Sequence, residues 1–130
     1  MRTFPFSPRS ATSLEVGDLI AVPREDGRWG CLQVTDLKRH GTGARTTLVV
    51  GVLPWVGEQP PTHREVSGLS VTEQALTGIE IFTQGGVEVV ATSSVAPQGF
   101  PSPYREHAVG TTQHVWGWRT ALRRTAAIKP

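Results

Sequence analysis

Apolar positions in residues 16–37 fall into two short runs, "DLIAVP" and "WGCLQVTDL", on either side of a charged stretch at 24–28. Both runs are rich in β-forming residues, and Asp26-Gly27 between them is the dipeptide that best accepts the positive φ angles of a type I′ turn, so the pattern predicts a hairpin. With a two-residue turn, Glu25 faces Arg28, Val22 faces Cys31 and Ile20 faces Gln33. One face then gathers Leu19, Ala21, Pro23, Leu32 and Val34, and the other gathers Ile20, Val22, Trp29 and Cys31, closing with polar Gln33 and Arg24. Neither face is cleanly polar, which predicts a strand pair bent inside a small barrel rather than an open sheet with one wet side.

Downstream, "TTLVVGVLPWV" (46–56) predicts a third strand, with Gly51 at a bend or bulge and Pro54 where the ladder ends or becomes an edge. Ser70-x-x-Glu73 forms a capping box that predicts a short helix over "SVTEQAL". "IEIFTQGGVEVVA" alternates about Gly85-Gly86 and predicts a hairpin, with Ile79, Ile81, Val87 and Val89 on one face and Glu80 and Glu88 on the other. Three prolines in 97–103 predict a surface loop of partly polyproline-like conformation. "TTQHVWGWR" (111–119) reads as a last strand that sets Trp116 and Trp118 on one face, and "TALRRTAAI" as a short C-terminal helix or tail. The sum is a mainly β fold, a small, strongly bent SH3-like barrel of five to seven strands with one or two short helices. An open β-sandwich is the alternative.

Composition narrows this further. A chain of 130 residues at 38% hydrophobic content fits one β-rich domain, 1–130, with a flexible 1–13 and a basic C-terminal segment 119–130. Fourteen Gly and ten Pro exclude a helical bundle, because they cost about 1 and 3 kcal/mol in a helix interior. The lone Cys31 permits neither an internal disulfide nor a multi-thiolate metal site within one chain, which fits a reducing compartment. No signal-peptide-like stretch and no run of eighteen apolar residues is present, so a soluble cytoplasmic protein is expected. The formal charge of +2 is uneven: residues 11–106 hold seven basic and eleven acidic side chains, a net of −4, and both termini are basic. A solvated surface explains that asymmetry as well as a nucleic-acid arm does.

Candidate chemistry is sparse. Cys31 sits mid-strand among apolar residues and reads as a small buried hydrophobe rather than a nucleophile. His40, His63, His107 and His114 are scattered without HxH or HExxH spacing, so no metal or cofactor is expected. "HGTGAR" lacks the third Gly of a dinucleotide loop and the Lys-Ser/Thr of a phosphate loop. What remains is binding: Arg39, His40 and Arg45 on the loop 38–45 suit a phosphate or an acidic partner, Trp55 beside Pro54 suits an exposed anchor, and Arg105 lies in the Pro-rich loop. The loops 38–45, 57–64 and 97–107 are the expected interface.

The stretch "VGDLIAVPREDGRWGCLQV" resembles the start of the bacterial immunity protein 26 family of polymorphic toxin systems. The matching positions are Gly17, Asp18, Ile20, Ala21, Pro23, Asp26, Gly27, Trp29, Gly30 and Val34, with a looser echo in "IEIFTQGGVEVVATSSV". The resemblance implies a non-enzymatic protein that binds and neutralises a cognate toxin. MazF/PemK-like ribonuclease toxins also begin with Gly-Asp and an apolar strand on an SH3-like barrel, but their following Arg-Pro is missing here, where Arg28 and Thr35 are only loose stand-ins. A nucleic-acid-binding barrel using Arg119, Arg123, Arg124 and the Arg39/Arg45 loop is the remaining alternative.

Overall fold

The structure, a computed structural model, describes residues 2–104 and 115–130. Five strands, β1 (Asp18–Pro23), β2 (Trp29–Asp36), β3 (Thr47–Gly57), β4 (Gln74–Gly78) and β5 (Glu88–Thr92), form one antiparallel sheet in the order β4-β3-β2-β1-β5. The expected small β-rich fold is therefore present, but the sheet is not closed into a barrel: β4 and β5 end up at opposite edges. Among the described residues three short α-helices, α1 (His63–Val66), α2 (Glu80–Thr83) and α3 (Trp118–Arg124), and two 3-10 turns, Ala11–Ser13 and Thr125–Ala127, complete it. No helix among the described residues is long and apolar enough to cross a membrane.

The first hairpin forms where expected, with its register moved by one residue. Ile20 pairs with Leu32, Ala21 with Cys31 and Val22 with Gly30. The loop holds three residues rather than two. Arg24 N–H donates to the Arg28 carbonyl at 2.8 Å, Gly27 N–H to the Arg24 carbonyl at 3.2 Å, and Gly27 alone takes the left-handed conformation, φ 82°. This is a turn followed by a glycine bulge, the other common hairpin closure. One residue of slip exchanges faces between strands, so Ile20 and Val22, not Leu19 and Ala21, join Leu32 and Val34 in the main core.

Four further expectations change. Residues 79–89 are not a hairpin: a helical turn, α2, precedes β5, and Gly86 at φ 73° ends it while Gly85 and Gly86 N–H bond back to Glu80 and Phe82. In a strand Phe82 would share the polar face of Glu80, whereas the turn buries Ile79, Ile81 and Phe82 together. The Ser70–Glu73 capping box starts no helix; Gln74–Gly78 is β4, the Ser70 hydroxyl donates to the Pro97 carbonyl, and the Glu73 carboxylate pairs with Arg124. Of the expected last strand, 111–114 lie outside the described residues, Val115 makes one bridge to Leu76, and α3 begins at Trp118. Trp116 and Trp118 therefore do not share a strand face; both pack half-buried against the main core. In β3, Gly51 pairs regularly with Gln33 and Gln74, and the bulge falls instead between Val52 and Val56, where Pro54 has no ladder hydrogen bond to lose.

Both sheet faces are covered. The main core joins Ile20, Val22, Leu32, Val34, Leu48 and Val50 to Leu14, Phe82 and Ala121, and a smaller cluster on the other face holds Leu19, Cys31, Leu53, Val66 and Val71. Residues 2–13, expected as a flexible lead-in, lie along the sheet: Phe6 bridges Val89 and Ala11 N–H donates to the Arg45 carbonyl. Their anchor is Asp18, fully buried, whose carboxylate accepts two bonds from Arg2 at 2.7 and 2.8 Å and one from Glu15 N–H at 2.9 Å. The Gly-Asp that opens β1 is thus a lock for the N-terminal segment.

Candidate interaction surface

A Pro-rich strap crosses the smaller-cluster face. After Ser93, whose N–H reaches the Gly17 carbonyl, residues 94–104 make no backbone-to-backbone hydrogen bond among the described residues. Side chains hold the strap instead. Gln33 donates to the Ser93 carbonyl at 2.8 Å, Ser70 to Pro97 at 2.7 Å and Gln74 to Pro101 at 3.2 Å; Gln98 donates to the Gln74 amide oxygen, and the Thr47 and Tyr104 hydroxyls meet at 2.7 Å. Gln33 and Gln74 stand on neighbouring positions of β2 and β4 because both pair with Gly51 between them. Gly51 is needed there for a close approach, since a Cβ would fall 2.6 Å from Val71 Cβ.

Beside the strap lie two joined grooves. One, of about 530 Å³, is lined by Val16, Phe100 and Pro101 together with Thr35, Asp36 and Gln98. The other, of about 360 Å³, runs from Phe100 to Trp116 past Glu73 and Arg124, and the two share Gln74 and Phe100. The Thr35 hydroxyl oxygen is closed to solvent and unpartnered. Of the large apolar side chains exposed among the described residues, Val16 at 48% and Phe100 at 41% line the first groove, while Val115 at 63% lines neither.

The expected binding residues divide between two ends of the molecule. Arg39, His40 and Arg45 are exposed on the connector from β2 to β3, and the Arg39 guanidinium donates to the Leu14 carbonyl at 3.1 Å, two residues before Val16. Thr47 also donates to the Gly43 carbonyl, so its bond to Tyr104 brings the loops 38–45 and 97–104 side by side. Trp55 is elsewhere. At about 3.3 Å per residue it lies roughly 26 Å along β3 from Thr47, half-buried against the smaller cluster with the 57–64 loop at that end. Arg105 lies outside the described residues, as do His107 and His114. Sequence reading missed Val16 and Phe100; a Phe between Gly99 and Pro101, where no periodic element can bury it, was the available signal.

Ionisation follows local contacts. Burial pushes the Tyr104 phenol above its ordinary value, opposed by the Thr47 hydroxyl and assisted by Asp36. Hydrogen bonds to Glu73 hold Arg124 in its charged form, with its guanidinium 5.8 Å from the Trp116 ring. At the hairpin tip Arg24, then Arg28 N–H, lowers the pKa of exposed Asp26, while Arg24 also donates to the Thr125 and Ile128 carbonyls. Desolvation raises the Cys31 thiol far above its ordinary value. Among the described residues no group of three metal-ligating side chains converges, and His63 Nδ1 lies 3.1 Å from the Thr92 carbonyl. No protein-family model, curated protein or solved structure matches this chain.

Proposed function

We propose that the chain is a non-enzymatic protein-binding module of the cytoplasm, and in its specific form an immunity protein that neutralises a bacterial toxin by contact. The observation that carries this reading is the meeting of exposed Val16 and Phe100 in one groove, with Trp116 and Arg124 in the groove that shares Phe100. Contiguous exposed apolar surface with an aromatic and an Arg is the composition of an interaction site. The fold reading that goes with it is a partly open SH3-like barrel, supported by a meander in which β5 returns beside β1 after a single helical turn. The residues that resemble the immunity family belong to the scaffold: Asp18 is buried under Arg2, and a Cβ at Gly30 would crowd Thr125.

Co-expression tests the specific form. A growth-inhibitory toxin domain encoded beside this gene is expressed alone and with the chain, and recovery of growth together with a co-eluting complex is expected. Undiminished toxicity and separate elution would overturn the immunity reading.

A further inference from the structure

We infer that the partner recognised at this surface is an acidic protein segment, one in which an aromatic or aliphatic anchor is flanked by carboxylates. The inference rests on the binding-module reading and adds the chemistry of what is bound. The groove between Val16 and Phe100 accepts the anchor, and the neighbouring loop accepts the acids. Residues 37–57 contain Lys38, Arg39 and Arg45 and no Asp or Glu. All three cations are exposed, and among the described residues none makes an ion pair. The acids near the groove are already engaged within the chain: Glu15 and Asp18 by Arg2, Glu73 by Arg124, and Asp36 in the groove wall, whose carboxylate accepts from Leu37 N–H at 2.8 Å. The bond from Arg39 to the Leu14 carbonyl ties that guanidinium to the chain two residues before Val16, and the Thr47 hydroxyl, bonded to both the Gly43 carbonyl and Tyr104, keeps the basic loop near the strap. A groove that offers Val16, Phe100 and Pro101 beside a positively charged loop complements an apolar anchor flanked by negative charge, and such charged flanks govern encounter rate and partner choice.

Random dodecamer peptides displayed on phage, panned on the full chain, test the inference without knowledge of the partner. Expected sequences carry two or more Asp or Glu around an aromatic residue or Leu. Synthetic copies should lose about tenfold in affinity for Arg39→Glu/Arg45→Glu, lose binding to Phe100→Ser, and bind more weakly as salt rises. Arg45→Glu alone, whose side chain makes no hydrogen bond or ion pair among the described residues, guards against misfolding of the double variant, and circular dichroism checks each. Enrichment of basic or neutral peptides overturns the acidic chemistry and leaves a binding module standing. Absence of any enriched peptide, or preferential binding of a single-stranded oligonucleotide at low salt, overturns both.

Discussion

Asp18 is fully buried, and Arg2 answers it from a side chain only a quarter exposed, a partnership that reaches across sixteen residues. Replacing Asp18 by Asn removes the charge that holds the guanidinium and weakens the bond from Glu15 N–H. A loss of about 2 to 4 kcal/mol is expected, as for breaking a largely buried, hydrogen-bonded pair. Arg2→Ala should cost a similar amount and the double variant less than the two together, which urea denaturation would read as a coupling of 1 kcal/mol or more, on the order expected for residues in contact. Independent effects would mean that Asp18 acts through its backbone contact alone. Cys31 makes a second prediction. Its buried thiol keeps its proton in the folded chain, whereas in the unfolded chain it ionises near pH 8.5, at about the ordinary value. Its contribution to stability is therefore full below about pH 8.5 and declines above it, by at most about 1.4 kcal/mol per pH unit. Urea midpoints at rising alkaline pH should fall more steeply for the native sequence than for Cys31→Ala; parallel slopes would disprove the assignment. Native Cys31 should also resist thiol reagents at pH 8 and react fully in denaturant.

At the level of elements, the strands β1, β2 and β3 and the C-terminal helix were legible in the sequence, and their failures of detail share a cause. Asp26-Gly27 suits both a two-residue turn and a three-residue loop with a glycine bulge. Local chemistry could not choose, and the choice decides which of Leu19 and Ile20 enters the main core. Residues 79–89 bury the apolar residues that alternation marked, yet Phe82, out of step with that alternation, is what converts the first arm into a helical turn. The strap was read as a loop, but its side-chain anchors at Gln33, Thr47 and Gln74 depend on pairings far apart in the chain. For the same reason Phe100 and Val16 could not be placed together from the sequence. Gly51 was read as a bend and is instead a clearance for Val71. Gly51→Ala should destabilise by about 1 to 3 kcal/mol through overpacking. In a Val71→Gly background the same change should fall within about 0.5 kcal/mol of neutral, because the whole colliding side chain, Cβ included, is gone. Equal costs in the two backgrounds, measured by thermal or urea unfolding, would place the strain elsewhere.

For the whole molecule, an open five-stranded sheet leaves two edges whose backbone groups are templates for another chain. This chain covers part of each with a segment distant in sequence. On β5, Phe6 and Val89 exchange N–H···O bonds of 3.0 and 2.8 Å, and on β4 Trp116 N–H donates to the Leu76 carbonyl at 2.8 Å. The Arg2–Asp18 lock and the Arg2 contacts with the Phe4 and Phe6 rings, at 5.3 and 5.7 Å, hold the first of these covers in place. Deleting residues 1–9 should therefore have two effects that separate in experiment: a lower melting temperature from the lost packing, and self-association through the bared β5 edge. Light scattering over a range of concentrations should show mass rising with concentration for the shortened chain beyond anything seen for the full one. A chain that melts earlier yet keeps the same mass at every concentration would assign the N-terminal segment to packing alone and leave edge protection to β5 itself.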